Sequence, residues 1–237
     1  GKMDLVYVLG SGSRWGDNEL RYSLRSVEKY LTGYDKIFLV GNKPDWVKNV
    51  THIPKQDIPC KECSIKEKIL AACYDHRLSE DFLFLNDDHI FLQKTETYEI
   101  KSYFYGTLSE WINRRSPKER YFKCLSNAKA ELERFGLPTY HFDIHVPIVY
   151  NKTRFIQAMD TYNWNLTEGM VIKSLYGNTF FENPVEYLDC KINEGINLEQ
   201  IEKRVKNRFC FSFGDKGLNM HLKYFLNKNF LDPSKYE

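Results

Sequence analysis

The chain has 237 residues, a length that allows one large domain, or one domain with an appended subdomain, and that suffices for a hydrophobic core. Its 34 basic and 32 acidic side chains give a formal net charge of +2, which is too small to indicate nucleic-acid binding by itself and permits anionic ligands. No apolar stretch approaches the ~20 residues of a membrane-spanning helix, and the first residues resemble a strand rather than a signal peptide. We therefore expect a cytoplasmic protein, at most peripheral to a membrane.

The cysteine spacing argues against a structural zinc site. Cys60 and Cys63 are close in sequence, as Cys-Lys-Glu-Cys, but a second pair at zinc-ribbon spacing is missing. A chain of this length does not need disulfides for stability, so we expect reduced thiols.

The first part of the chain alternates between predicted strands and helices. We expect strands over residues 4–9, 36–40, 50–53 and 82–85. Helices are predicted over residues 19–31, with Asp17 or Asn18 as N-cap, and 64–78, with Ser64 as N-cap. This alternation favours an α/β fold with a mainly parallel sheet and flanking helices.

The second part is less regular. We expect helices over residues 118–135, 152–161, 198–206 and 218–227, and strands over 140–149, 187–192 and 208–213. Residues 168–176 fit either a helix or a strand.

The loop after the first strand contains Gly10, Ser11 and Gly12. It lacks the third glycine of a dinucleotide-binding fingerprint, so a Rossmann NAD site is not expected. Small residues at Gly10 and Ser11 would still let the backbone approach a bound nucleotide closely, which makes both candidates for donor binding.

A pair of acidic residues follows the strand over 82–85. That strand is apolar throughout, as expected when both faces are buried, and it ends in Asn86, Asp87 and Asp88. Carboxylates at such a sheet edge suit a divalent cation, and such a cation suits a diphosphate. The alternative is a polar turn without a ligand. His89 would point away from Asp88 on a strand and is expected to be a packed or surface histidine rather than a ligand.

Residues 140–147 carry three further polar side chains. On a strand, His141, Asp143 and His145 would share one face. Such a face supports either a second set of metal ligands or a His/Asp general base, or it is simply a polar edge strand.

Two groups of basic residues are also candidates. Arg21 and Arg25 either bind phosphate or form a solvated helix face with Glu28. The cluster at 114–123 interleaves basic residues with Trp111, Tyr121 and Phe122, and it suits an anionic acceptor, nucleic acid or an exposed helix.

Several of these segments together resemble the Stealth family. Residues 17–30, 36–40 and 44–46 resemble its second signature block, which ends in a Leu-Ser-x-x-Phe-Leu-x-Leu-Asn-Asp-Asp pattern matched by residues 78–88. His145-Val146-Pro147 resembles the third block, and residues 209–215, 224–226 and 230–237 resemble the fourth. The chain differs at residues 8–13, where the first block usually reads Trp-Val-Asp-Gly, and at 213–215, where the fourth usually has Asn-Asp.

The resemblance implies a GT-A-like fold and a transferase that moves hexose 1-phosphate from a nucleotide-diphosphate sugar, as in capsular polysaccharide synthesis. By position it places Asp87 and Asp88 at a metal–diphosphate site and Arg21 and Arg25 near the donor phosphates. It also makes His145 a candidate catalytic residue and Asp215 an active-site residue. His221, on the last predicted helix, is a weaker alternative metal ligand by analogy with C-terminal histidines of GT-A enzymes.

We therefore expect one domain over residues 1–237, with 1–100 binding the nucleotide sugar and 101–237 binding the acceptor and closing over the site. The expected cofactor is Mn²⁺ or Mg²⁺, bound by Asp88 with help from Asp87. One alternative keeps the fold but moves the sugar itself to a polysaccharide, a protein or a nucleic-acid base. Another is a non-enzymatic module that binds an anionic polymer through the basic aromatic segment.

Overall fold

The computed structural model describes residues 2–165 and 168–237. The strands are β1 (Met3–Leu9), β2 (Leu31–Thr32), β3 (Tyr34–Gly41), β4 (Thr51–Ile53), β5 (Asp81–Leu85), β6 (Ile90–Phe91), β7 (Thr95–Glu96), β8 (Tyr103–Phe104), β9 (Ile148–Asn151), β10 (Val185–Glu186), β11 (Lys191–Ile192) and β12 (Cys210–Phe213). The helices are α1 (Asn18–Tyr30), α2 (Lys61–Cys73), α3 (Leu108–Asn113), α4 (Arg120–Arg134), α5 (Lys152–Thr161), α6 (Ile172–Phe180), α7 (Leu198–Val205) and α8 (Met220–Asn229). Among these helices, none is long and apolar enough to cross a membrane.

The central sheet has the strand order β4-β3-β1-β5-β9. The first four strands are parallel, and β9 runs antiparallel to β5 at the edge. This arrangement confirms the predicted α/β class with a mainly parallel sheet. Because parallel strands end at the same edge of a sheet, the loops after β1 and β5 are neighbours.

Both faces of the central sheet are buried. Alternate side chains of β5 enter two different clusters: Phe82 and Phe84 face the layer that contains α2, α4, α5 and α6, whereas Leu83 and Leu85 face the layer that contains α1. Burial on both faces explains why the sequence of β5 is apolar at every position from Phe82 to Leu85.

A smaller sheet of β11, β12 and β6 follows the acidic turn. Strand β6 pairs antiparallel with β12, which pairs in parallel with β11. Apolar side chains of α7 and α8 pack against these strands in a third cluster. The turn at Asn86–His89 therefore connects the central sheet to the C-terminal sheet.

The starts of two helices differ from the prediction. Asp17 precedes α1 in a left-handed conformation, with φ 58°, and its side chain does not cap the helix. Helix α2 begins three residues earlier than predicted and has Cys60, not Ser64, at its N-cap. The Cys60 sulfur accepts a hydrogen bond from the Cys63 amide at 3.2 Å, whereas the Ser64 hydroxyl accepts one from the Ile58 amide at 3.3 Å.

The expectation of reduced thiols is wrong for Cys60 and Cys63, which form a disulfide across the first turn of α2. The remaining cysteines, Cys73, Cys124, Cys190 and Cys210, are free and buried.

The predicted strand over residues 140–149 is also wrong over most of its length. Strand β9 begins at Ile148, and the preceding segment forms only an isolated bridge at Tyr140. The backbone of this segment bonds to residues 105 and 106 at His141 and to side chains of α6: the Phe142 amide, for example, donates to the Ser174 hydroxyl at 2.9 Å. Residues 168–176, for which the sequence fitted either a helix or a strand, contain the first part of helix α6, Ile172–Phe180.

Arg21 and Arg25 of α1 form ion pairs with Glu237. The Glu237 side chain is only 8% exposed, and Arg25 contacts it through Nε at 2.9 Å and Nη2 at 2.8 Å. Arg25 also donates to the Phe230 carbonyl at 2.9 Å, and the Arg21 guanidinium lies 4.2 Å from the centre of the Trp46 ring. These contacts attach α1 to the segment over residues 230–237.

The ion pair determines the pKa of the Glu237 carboxyl and thereby how its contribution to stability depends on pH. Burial alone would raise the pKa of this carboxyl, but hydrogen bonds from Arg25, the Ser234 amide and Arg21 outweigh it and lower the pKa to about 2. Because the folded pKa lies below the usual value, the pair stabilises the fold above pH 4.5 and loses this contribution as the pH falls toward 2.

We predict that Glu237→Gln and Arg25→Met each lower the free energy of unfolding by about 3 kcal/mol at pH 7, because Glu237→Gln leaves the guanidinium of Arg25 without its carboxylate and Arg25→Met removes two charged hydrogen bonds from the buried Glu237 carboxylate. Urea denaturation followed by circular dichroism measures this change. The deficit of Glu237→Gln should shrink between pH 7 and pH 3.

The control for this experiment is Lys228→Met, which removes an exposed ion pair with Glu202. Its effect should be below about 1 kcal/mol. A deficit for Glu237→Gln as small as that of the control would contradict the structural role of the pair.

Candidate active site

A cavity of about 580 Å³ lies at the edge of the central sheet where β1 and β5 end. Its walls include the loop at Gly10 and Ser11, the acidic pair Asp87 and Asp88, and His145. The structure therefore brings these five predicted site residues together from three separate parts of the chain. Ligands of open α/β sheets bind at this kind of edge.

Buried hydrogen bonds fix the acidic turn. The His89 amide donates to the Asn86 carbonyl at 3.2 Å, and the Asn86 amide donates to His89 Nδ1 at 3.2 Å. His89 is fully buried, and burial lowers its pKa, so its neutral ring can accept this bond.

Serines of α1 anchor the chain just beyond this turn. The Ser23 hydroxyl donates to the His89 carbonyl at 2.6 Å and lies 2.7 Å from the Tyr7 hydroxyl of β1. The Ser26 hydroxyl accepts from the Phe91 amide at 3.0 Å. Because these groups are buried, breaking one of these hydrogen bonds would leave a polar atom unsatisfied and lower the free energy of unfolding. The position of Asp87 and Asp88 thus depends on α1 as well as on β5.

The acidic pair is electrostatically strained. Burial raises the pKa of Asp87, and the neighbouring Asp88 raises it further. Burial also raises the pKa of Asp88, while the positive charge of Lys191 acts in the opposite direction. The buried Oδ1 of Asp88 has no hydrogen-bond partner among the described residues. A cation beside this pair would relieve both the repulsion and the unsatisfied oxygen.

These carboxylates fit the hard-cation site that the resemblance implies. Mg²⁺ and Mn²⁺ are often bound by one or two carboxylates, with phosphate oxygens and waters completing the shell. No group of three or more His, Cys, Asp or Glu side chains with metal-binding geometry occurs among residues 2–165 and 168–237. The protein would therefore supply only part of the shell.

His145 enters the cavity from a segment that is tied to α6 and to the strand pair β11–β12. Its amide donates to the Asp189 carboxylate at 2.8 Å, and Lys173 of α6 donates to the carbonyls of Ile144 at 3.0 Å and Val146 at 2.9 Å. Bonds on both sides of His145 restrict its backbone. Burial, followed by the charges of Lys191 and Lys173, lowers the pKa of the imidazole to about 2, so His145 is neutral near pH 7.

The other two polar residues of this segment have different roles. Asp143 accepts bonds from the amides of Lys173 and Ser174, at 3.1 and 2.9 Å, and so satisfies the first turn of α6. His141 is buried and stacks on Trp111 with 4.2 Å between ring centres. Because the segment is not a strand, the predicted three-residue face does not form: Asp143 and His145 both line the cavity, whereas His141 is not among its lining residues.

Four further site residues predicted from the sequence do not line the cavity. Arg21 and Arg25 bind Glu237, as described above, and we therefore do not assign them to the donor site. Asp215 is exposed at the start of a short 3-10 turn, and His221 is exposed on α8.

The basic aromatic segment forms part of the surface beside the cavity. Arg114 stacks over Trp111 and Arg115 over Tyr121, with 4.7 and 4.8 Å from guanidinium carbon to ring centre. Tyr121 lines the cavity, whereas the arginines are exposed. Both arginines lie between α3 and α4, so this part of the basic segment is an exposed connection between two helices.

Sequence reasoning missed the lysines of the cavity. Lys61, Lys68, Lys173 and Lys191 line it, and none lies in a recognisable motif. Lys68 is buried and donates to Asp57 and, at 3.4 Å, to the Leu9 carbonyl. One feature of the sequence could have indicated Lys173. It lies within the largely apolar segment from Met170 to Leu175, and a lysine is rarely buried in such a segment unless its charge is paired.

Comparison with known proteins gives sequence relatives that include two proteins of different origin, and no family model matches the chain. The chain is 35% identical over 103 residues to the human N-acetylglucosamine-1-phosphotransferase subunits alpha/beta, covering 34% of this chain and 7% of that protein. It is 27% identical over 151 residues to an exopolysaccharide phosphotransferase of Streptomyces coelicolor, covering 55% of this chain and 16% of that protein. The chain thus spans less than a fifth of the length of either relative.

Among solved structures, an active-site mutant of LgtC superimposes with a TM-score of 0.53 at 9% identity, covering 98% of both chains. At this identity the likeness concerns the fold alone, which is that of the GT-A glycosyltransferases. The predicted resemblance is therefore confirmed: the chain is similar to phosphotransferases of the Stealth type in sequence and has a GT-A-like fold.

Proposed function

We propose that this chain transfers a sugar 1-phosphate from a nucleotide-diphosphate sugar to a hydroxyl group of a saccharide acceptor, in the synthesis of a surface polysaccharide. The observation that carries the proposal is the meeting of Asp87, Asp88, His145 and Lys191 in one cavity at the carboxyl edge of the sheet. The names of the sequence relatives support phosphosugar transfer in particular.

The two parts of the chain contribute different groups to the cavity. Gly10, Ser11, Asp87 and Asp88 come from residues 1–100, and His145 and Lys191 come from residues 101–237. The first half thus supplies the loop and the carboxylates proposed for donor binding, whereas the second half supplies both the proposed base His145 and Lys191, which is assigned to a donor phosphate. At Gly10 a Cβ atom would lie 3.1 Å from the Asp57 carboxylate, so a glycine there lets this carboxylate approach the loop closely.

A divalent cation, held by Asp88 with help from Asp87, would neutralise charge on the donor diphosphate and on the departing group. The residues of the chain then do the following. Lys191 binds a phosphate oxygen, and the neutral imidazole of His145 accepts the proton of the acceptor hydroxyl. The acceptor oxygen forms a bond to the phosphorus next to the sugar. The bond from that phosphorus to the bridging oxygen breaks, and nucleoside monophosphate leaves with the electron pair.

A second candidate is transfer of the sugar itself, which the GT-A-like fold favours. In that reaction the bond between the anomeric carbon and the diphosphate breaks, and nucleoside diphosphate leaves. The same cavity residues would serve both reactions, so the products must separate them.

We predict that the chain, incubated with a panel of nucleotide sugars, Mn²⁺ and a saccharide acceptor, releases nucleoside monophosphate. Separation of the nucleotide products by ion-exchange chromatography measures this outcome. Release of nucleoside diphosphate in proportion to the product would favour the second candidate. Failure with every donor, metal and acceptor would remove both.

We predict that His145→Gln lowers kcat by about 10² to 10⁴, which is the usual contribution of a general base. The affinity for a nucleoside diphosphate should change little, since His145 is assigned to the acceptor proton. Steady-state kinetics and calorimetry measure the two quantities. Full activity of His145→Gln would refute its role as base.

We predict that Asp88→Asn abolishes Mn²⁺-dependent binding of a nucleoside diphosphate. Because Asp88 is a carboxyl whose pKa is raised by burial, its ionised form destabilises the fold near pH 7, and the melting temperature of the variant should be equal or higher. Titration calorimetry and thermal unfolding measure the two effects. Asp160→Asn, at an exposed position of α5, is the matched control. Metal-dependent binding by Asp88→Asn equal to that of the control would refute the metal assignment.

A further inference from the structure

Lys191 differs from Lys68 and Lys173, the two buried lysines that line the cavity; the cavity lining also includes Lys61, which is exposed. The ammonium of Lys68 is occupied by Asp57 and the Leu9 carbonyl, and that of Lys173 by the carbonyls of Ile144 and Val146. Lys191 instead approaches His145, with 3.4 Å between Nζ and Nε2, and it forms no ion pair within residues 2–165 and 168–237. Its charge is therefore available to an anion that enters the cavity.

The contact with Lys191 determines the state of His145. An ammonium group has donors only, so Nε2 of the neutral imidazole must be the acceptor and the ring proton must be on Nδ1. The lone pair of Nε2 is then directed at Lys191. While this contact persists, the same lone pair is not available to the hydroxyl of an acceptor.

A phosphate would compete strongly for Lys191. Hydrogen bonds between an ammonium and an anionic oxygen are shorter and roughly twice as strong as bonds to neutral acceptors. At 3.4 Å the bond to Nε2 is long for a bond from a charged donor, so little is lost when it breaks. The flexible four-carbon stem of a lysine allows such a movement.

We propose that Lys191 masks the base His145 until a donor binds, and that the donor diphosphate unmasks it by drawing the ammonium from Nε2 to a phosphate oxygen. This inference rests on the proposed function and deepens it. Lys191 is then a phosphate ligand and, through the same ammonium, a positioning residue for His145. The mechanism makes proton abstraction from the acceptor depend on an occupied donor site, so donor binds before acceptor.

The test follows the ring nitrogens of His145 by ¹⁵N NMR in the full chain. The probe is inorganic pyrophosphate together with Mg²⁺, which is used instead of Mn²⁺ because it is diamagnetic. The His145 signals are assigned by comparison with His145→Gln. In the unmodified chain we expect the Nδ1–H tautomer with Nε2 as acceptor. On addition of pyrophosphate, the Nε2 resonance should move toward the position of a nitrogen without a hydrogen bond.

Variants at Lys191 separate the masking role from a structural one. In Lys191→Met the Nε2 resonance should already have the unbonded position without pyrophosphate, and the affinity for pyrophosphate should fall by about tenfold or more, as expected for a lost charged hydrogen bond. Lys191→Arg retains a cationic donor and should keep most of that affinity. Lys203→Met, at an exposed position of α7, should behave like the unmodified chain.

Each result decides between the possibilities. If pyrophosphate binds but the His145 resonance does not move, the masking inference is overturned while the proposed function stands. Unchanged pyrophosphate affinity in Lys191→Met would also overturn it. If pyrophosphate does not bind to the unmodified chain at all, the proposed donor site and the masking inference both fail.

Discussion

The burial of β5 on both faces is the constraint on which the arrangement of the site depends. Phe82 to Leu85 alternate between two apolar layers, so this strand cannot shift by one residue without exposing one set of side chains or forcing it into the wrong layer. Since the strand is fixed, the acidic residues that follow it are fixed at the sheet edge. The serine bonds from α1 then secure the chain on the far side of the turn. The anchors on both sides of the turn thereby hold Asp87 and Asp88 in a half-buried position.

The parts of the site that could be predicted are those whose position follows from the strand pattern. Asp87 and Asp88 come directly after an apolar strand, and Gly10 and Ser11 come directly after another, so parallel pairing brings them together. His145 was predicted from the resemblance and from a strand that does not exist. It reaches the cavity because Lys173 and Asp189 bond the backbone of its segment, while the Asp143 side chain of that segment accepts from the Lys173 amide of α6. Such bonds between distant residues leave no periodic signal in a sequence.

Charged residues were harder to assign for the same reason. Arg21 and Arg25 have the types and spacing of phosphate ligands, but their guanidinium groups bind Glu237, more than two hundred positions away in the chain. Conversely, Lys191 lies in a two-residue strand without any motif and yet belongs to the cavity. Local sequence indicates which groups are charged. The tertiary fold decides which charges satisfy one another and which remain available for a ligand.

Helix α1 has polar contacts on two of its sides, which is unusual for an amphipathic helix. Ser23 and Ser26 support the chain beyond the acidic turn, while Arg21 and Arg25 bind the segment that ends at Glu237. The helix thus connects the acidic pair Asp87 and Asp88 with the segment over residues 230–237. Any molecule that pulled residues 230–237 away from α1 would loosen the support of Asp87 and Asp88 without entering the cavity.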